Sequence, residues 1–187
     1  KILIDGISFE VKAGEILTLI GPNGSGKSTV LKTLVKELES LGGSVSVASK
    51  NIFTEKDTFA AKHISMVMTE RIHPEMMTVR DVIATGRYPY TNLFGVLDDD
   101  DNAKINEAIK TVHCEDIEGR LFNNLSDGQK QRVMLARAIC QDTEVIVLDE
   151  PVTFLDMFYK LDFFKNIKTL AREKNKAIIL SLHELDL

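Results

Sequence analysis

The chain has no tryptophan, only two cysteines and four prolines, and aromatic residues make up 6% of its 187 positions. Cys114 and Cys140 form neither a disulfide framework nor a metal pair. A reducing, cytoplasmic setting is the simplest reading of so few thiols. No stretch approaches the ~20 consecutive apolar residues of a membrane span, and no secretory leader is visible. Positive charge is also in deficit: 23 Lys and Arg against 28 Asp and Glu leave a net charge of -5, which disfavours non-specific binding to nucleic acid. What remains is 44% hydrophobic and 27% charged, ordinary for one globular core and incompatible with disorder. The chain opens on Lys1 and stops at Leu187 just after a strand-like run, so residues 1–187 read as one domain cut from a longer protein.

Apolar periodicity orders the elements. Ile2–Ile4 and Ile7–Val11 alternate around Asp5-Gly6 and predict two strands, with a turn at Lys12–Glu15. Ile16–Ile20 is a nearly continuous apolar run, as in a strand covered on both faces. Val30, Leu31, Leu34, Val35 and Leu38 share one face of a predicted helix over Ser28–Leu38. Val45 and Val47 suggest a strand, and Ile64–Met68 another. The segment from about 70 to 141 reads as mostly helical, followed by a buried strand ending at Leu148, a helix over Met157–Glu173 and a last strand over Ala177–Leu182. Buried strands alternating with helices predict a parallel α/β sheet. The Asp98–Asp101 run predicts a solvated loop tip.

Two motifs carry chemistry. Gly21-Pro22-Asn23-Gly24-Ser25-Gly26-Lys27-Ser28-Thr29 follows a strand and opens a helix, the context a phosphate-binding loop requires. Its glycines let backbone N–H groups turn inward toward phosphate oxygens, and the helix start adds partial positive charge. Lys27 supplies a full charge for the β- and γ-phosphates, and the Ser28 hydroxyl suits Mg²⁺. Secondly, Val145–Leu148 ends in Asp149-Glu150. At the carboxyl end of a parallel strand Asp149 can reach the Mg²⁺ shell, and Glu150 can polarise an attacking water.

Leu125-Ser126-Asp127-Gly128-Gln129 resembles the Leu-Ser-Gly-Gly-Gln signature of ATP-binding cassette (ABC) ATPases, and it precedes the Asp-Glu strand as in that family. Phe154-Leu155-Asp156 resembles the family's D-loop, and His183 its switch histidine. The resemblance covers essentially the whole chain. It implies a P-loop NTPase fold with a RecA-like parallel sheet, a small antiparallel β subdomain and a helical signature subdomain. It also implies ATP and Mg²⁺ as cofactors, and a head-to-tail homodimer in which Ser126, Gly128 and Gln129 of one copy face the γ-phosphate held by the other. The signature has physics of its own. Ser126 can cap the helix that follows, leaving N–H groups near Ser126 and Gly128 to face an anion. Asp127 replaces a glycine, and its carboxylate is expected to point away from phosphate. His183 would contact the γ-phosphate and hold Glu150 and the water. His63, His73 and His113 match no motif.

The family usually places a Mg²⁺-contacting glutamine after the strand at Ile64–Met68; here Thr69-Glu70 stands instead, and Thr69 or Glu70 is the candidate oxygen ligand, with water in that place as the alternative. The adenine-stacking aromatic of the family would lie upstream of Lys1. Met76–Tyr90, with its Gly86-Arg87-Tyr88-Pro89 run, resembles importers of iron–siderophore complexes and their cobalamin and haem relatives. Membership of that group implies a polytopic membrane permease subunit, an external solute-binding protein as an indirect partner, and a place on the cytoplasmic face of the inner (plasma) membrane. No nucleic-acid partner is expected. A soluble ABC ATPase acting on ribosomes or DNA is the alternative, although no coiled-coil insertion, second cassette or basic arm is present in these residues.

Overall fold

The computed structural model describes residues 6–68, 72–92, 94–153, 155 and 157–183. Four parallel strands form the main sheet: β1 (Ile16–Ile20), β4 (Ile64–Val67), β5 (Val145–Leu148) and β6 (Ala177–Leu182), in the spatial order β1-β6-β5-β4. A two-stranded antiparallel sheet joins β2 (Ser46–Val47) to β3 (Lys50–Asn51). The helices are α1 (Lys27–Leu34), α2 (Asp57–His63), α3 (Val79–Ala84), α4 (Asp99–Thr111), α5 (Asp127–Cys140) and α6 (Met157–Arg172).

Period-two alternation splits each central strand between two cores. Ile178, Leu180 and Leu182 of β6, with Ile146 and Leu148 of β5, pack with Val133, Ala136, Phe163, Ile167 and Leu170 from α5 and α6. Ile179 and Val147 point to the other face, against Leu31 of α1 and Ile52. Burial on both faces is why these strands lack polar alternation, and why their hydrophobic runs predict them well.

Three local expectations are corrected. Helix α1 ends at Leu34 rather than Leu38, because Lys36 turns left-handed at φ 66° and the chain folds back with Glu37 N–H on Lys32 O. Ile7–Val11 forms no strand among the described residues, and Ile7 is 52% exposed; the alternation is present, but no described strand pairs with the segment. Ile2–Ile4 lies outside the described residues. Asp98–Asp101 is no loop tip: Asp98 caps α4 and the other three aspartates form its first turn. Acidic side chains there complement the positive end of the helix dipole. Asp98 and Asp101 complete a reciprocal capping box, the Asp101 N–H donating to Asp98 Oδ1 at 2.8 Å.

The helical middle follows the same capping logic. Thr78 with Asp81 opens α3, and Ser126 with Gln129 opens α5. Between α3 and α4 the backbone passes through a 3₁₀ turn, Thr85–Arg87. Gly86 sits where a Cβ would lie 2.4 Å from Arg137 O, so no larger residue fits against α5. Arg87 is buried there: its Nε donates to Asp101 Oδ1 at 2.7 Å, Nη1 to Cys140 O at 3.0 Å, and its guanidinium lies 4.1 Å from the Tyr90 ring centre. One side chain thus ties the 3₁₀ turn to the start of α4 and the end of α5.

Candidate phosphate-binding and hydrolytic site

All four strands of the parallel sheet point their carboxyl ends to one edge, where open α/β sheets gather ligands. β1 delivers Gly21–Thr29, β5 delivers Asp149 and Glu150, and β6 delivers His183. The glycine loop is tight. Ser25 N–H donates to Pro22 O at 3.2 Å, and Gly26 stands at φ 94°, a conformation open to glycine at little cost. Gly26 is also the N-cap of α1 and offers no capping side chain, so the first amides of α1 keep the unpaired donors that a side chain would otherwise take. Such a loop can cradle phosphate oxygens.

Lys27 is 8% exposed. Its Nζ donates to Gly21 O at 2.6 Å and Pro22 O at 3.1 Å, and stands 3.8 Å from Glu150 Oε1. The cation expected at the β- and γ-phosphates and the carboxylate expected to polarise the attacking water are therefore neighbours. Ser28 Oγ donates to Asp149 Oδ1 at 3.0 Å, joining residues 121 positions apart. Asp149 is buried, and its N–H donates to Val67 O at 2.9 Å, which anchors the end of β5 to β4. As a seat for Mg²⁺ the donor set is chemically suitable: a hydroxyl and a carboxylate, both hard oxygens. Among the described residues no three His, Cys, Asp or Glu side chains cluster as a metal cage.

The signature turn is held by bonds of its own. Ser126 N–H donates to Gln129 Oε1 at 3.0 Å and Gln129 N–H to Ser126 Oγ at 3.3 Å. The N–H groups near Ser126 and Gly128 expected to face an anion divide accordingly: the Ser126 N–H is taken up in the capping box, and the Gly128 amide lies outside it. A Cβ on Gly128 would lie 3.6 Å from both Leu155 and Tyr159, so the turn rests on the start of α6. Ser126, Gly128 and Gln129 make no hydrogen bond to the phosphate loop of their own chain among the described residues. Asn23, Gly24 and Ser25 are exposed, as are Asp127 and His183. Of the remaining histidines, His63 stacks on Phe59 with ring centres 4.2 Å apart, while His73 and His113 are exposed. Thr69, Glu70, Phe154 and Asp156 lie outside the described residues.

One site residue escapes the motif reading. Ser181 Oγ donates to Asp149 Oδ1 at 2.8 Å and accepts the Glu150 N–H at 2.8 Å. The signal was a lone hydroxyl in the otherwise apolar run Ala177–Leu182, since a fully buried hydroxyl must find a partner.

A glycine-rich loop between the first parallel strand and its helix, with a carboxylate from a neighbouring strand on the loop's serine, defines a P-loop NTPase fold. The profile of the family described as ABC transporter matches residues 4–153. The chain belongs to the ABC transporter family. An uncharacterized ABC transporter ATP-binding protein of Methanocaldococcus jannaschii is 43% identical over 186 residues, covering all of this chain and 64% of that protein. The iron(3+)-hydroxamate import ATP-binding protein of Bacillus subtilis is 33% identical over 186 residues, covering all of this chain and 69% of that protein. The chain thus spans about two thirds of the length of these curated relatives. Among solved structures, an ABC transporter assigned to the metal-chelate type, in an inward-facing conformation, superposes with a TM-score of 0.83 at 27% identity, over 95% of this chain and 66% of that one.

Proposed function

We propose that the chain is the ATP-hydrolysing subunit of an ABC importer that takes up an iron(III)–siderophore or related metal chelate. The observation that carries the ATPase reading is the convergence of Lys27, Ser28, Asp149 and Glu150 at the carboxyl edge of the sheet. The loop amides and Lys27 bind and orient the triphosphate. Ser28 and Asp149 hold Mg²⁺, directly or through water; when bound, the ion offsets charge on the β- and γ-phosphates. Glu150 accepts a proton from the attacking water, and His183 helps keep that water and Glu150 in line with the γ-phosphate. Phosphoryl transfer asks mainly for positioning and charge compensation, which this cluster is suited to give.

The signature turn completes the site from a second copy, so the working unit is a head-to-tail homodimer. Its dependence on a partner is supported by Ser126, Gly128 and Gln129 making no hydrogen bond, among the described residues, to the loop of the same chain. The importer reading draws on the relatives, named for iron(3+)-hydroxamate import and for metal chelates. It also draws on Met76, Tyr88 and Phe94, which are 89%, 60% and 90% exposed and offer an adaptable apolar surface to a short helix of a polytopic permease. An external solute-binding protein would deliver the chelate to that permease at the inner membrane, leaving this subunit on the cytoplasmic face. No helix among the described residues is long and apolar enough to cross a membrane.

The test is phosphate release from ATP by the full-length protein, compared with Lys27→Ala and Glu150→Gln, together with identification of what co-purifies. Turnover lost in both variants and a co-purifying polytopic membrane protein support the reading. Co-purifying ribosomes would favour the soluble alternative, and turnover unaffected by either substitution would remove the site assignment.

A further inference from the structure

Every residue of β6 is buried, and Ser181 is its only polar side chain. A hydroxyl left unpaired in such a place would be costly. Ser181 is paired twice, and both partners belong to the proposed hydrolytic centre. Its single proton goes to Asp149 Oδ1 at 2.8 Å, and a lone pair accepts the Glu150 N–H at 2.8 Å. Ser28 gives its own proton to the same Asp149 oxygen at 3.0 Å, which leaves the Ser28 Oγ lone pairs for a cation. Glu150 stands at φ 46°, in the left-handed region. A residue other than glycine held there is strained and stays only where its surroundings over-determine it. The bond to Ser181 is one such constraint; Thr153, whose Oγ1 donates to Glu150 O at 3.1 Å, is another.

We propose that Ser181 is a positioning residue of the hydrolytic site: its hydroxyl orients the Asp149 carboxylate and pins the strained backbone of Glu150. The proposal rests on the ATPase reading above. Ser181 is 0% exposed, so it touches neither water nor phosphate and acts only through its two partners. The pairing spans two strands. In the β5–β6 register Leu148 sits beside Leu180, so Ser181 is the β6 residue next in line to meet Asp149 as the chain leaves the sheet. One hydroxyl therefore ties the acidic end of β5 to the strand that carries His183 two residues later.

The experiment compares Ser181→Ala, Ser181→Thr and Ser181→Val in the full-length protein. Threonine keeps the hydroxyl, and valine has threonine's shape without it. Three quantities are read: steady-state ATP turnover, binding of a non-hydrolysable ATP analogue without divalent metal, and Mn²⁺ affinity of the analogue complex by electron paramagnetic resonance. Loss of a group that orients a metal-ligating carboxylate costs about 10–100-fold in metal affinity or activity. The expected result for Ser181→Ala and Ser181→Val is a fall of that size in kcat and in Mn²⁺ affinity, with KM and metal-free analogue binding within about threefold of the parent. Ser181→Thr returns both falling quantities toward the parent. Parent-like kcat and Mn²⁺ affinity in Ser181→Ala would overturn the proposal, and so would equal impairment of all three variants, since only packing would then be at stake. A parent protein that does not hydrolyse ATP overturns the ATPase reading instead, and the Mn²⁺ titration, which needs only nucleotide binding, still decides the role of Ser181.

Discussion

Lys27 and Glu150 stand 3.8 Å apart, and a lysine as buried as Lys27 is held by the two loop carbonyls as well as by that carboxylate. Removing either partner should therefore separate binding from chemistry. Lys27→Ala is expected to weaken ATP binding at least ~10-fold, since a charge-assisted contact to phosphate contributes more than a neutral one; calorimetry on the variant reads this directly. Glu150→Gln keeps size and shape but cannot take a proton. Its turnover should drop by about 10²–10⁴, the usual contribution of a general base, with ATP affinity retained. At the same scale, burial pushes the Cys114 thiol up to about 11 and the Cys140 thiol up to about 12. Both stay protonated near neutral pH, so neither should react with iodoacetamide at pH 8 until the chain is unfolded, as mass spectrometry of the labelled protein would reveal. The phosphate loop and the Asp149-Glu150 pair were legible from residue type and spacing because their chemistry lies in a contiguous motif. Ser181 was not, because its role depends on which strand lies beside β5, and pairing order is a tertiary property.

Among the elements, the junction of α3, α4 and α5 depends on Arg87 and Gly86. Arg87→Ala leaves the buried Asp101 carboxylate without its cation and is expected to cost about 3–5 kcal/mol, measured by denaturant unfolding. Gly86→Ala forces a methyl onto Arg137 O and should cost about 1–3 kcal/mol, as overpacked sites do. The Arg87–Asp101 pair also sets an acid limit. Burial alone would raise the Asp101 carboxyl, but the hydrogen bond and charge of Arg87 and the bonds within the α4 capping box outweigh it, and its pKa lies below the ordinary carboxylate value. A carboxyl depressed in the folded state stabilises the fold above its unfolded pKa, near 3.9, and loses that contribution as pH falls through the lower folded value. Asp101→Asn should therefore lower stability at pH 7 and flatten its decline below about pH 4, read as melting temperature against pH. The Asp98–Asp101 run misled the sequence reading for a definite reason: four adjacent like charges resemble a solvated loop, yet a capping box at the positive end of a helix suits the same composition. Helix α1 was overextended because apolar periodicity continues past Leu34 while the backbone does not, and periodicity carries no information about a left-handed residue such as Lys36.

At the scale of the whole molecule, the parallel sheet was legible because its central strands β5 and β6 are covered on both faces and read as unbroken apolar runs; β1 reads the same way, but its expected cover on both faces is corrected, since Ile16 and Ile20 are 43% and 52% exposed. The strand order was not, since any of the parallel arrangements would bury those runs equally. Among the described residues Ser126, Gly128 and Gln129 make no hydrogen bond to the phosphate loop of their own copy, and on the reading proposed above nucleotide-driven dimerisation is the expected behaviour of the full-length protein. Glu150→Gln with ATP should sediment as a dimer, and the double variant carrying Lys27→Ala should remain monomeric under the same conditions in analytical ultracentrifugation.

The order β1-β6-β5-β4 has a further consequence for how the molecule comes into being. The strand translated first among the four pairs, within the described residues, only with the one translated last: Ile16–Ile20 lies beside Ile178–Leu182, more than 150 positions along the chain. During synthesis β1 and its glycine loop must wait, unpartnered at one edge, until β6 emerges and slots between β1 and β5. Closing so long a loop makes this a late event in folding. The serine that braces both acidic residues arrives on that same closing strand, so a nascent chain that stops before it carries the phosphate loop and the Asp149-Glu150 pair but neither their brace nor His183.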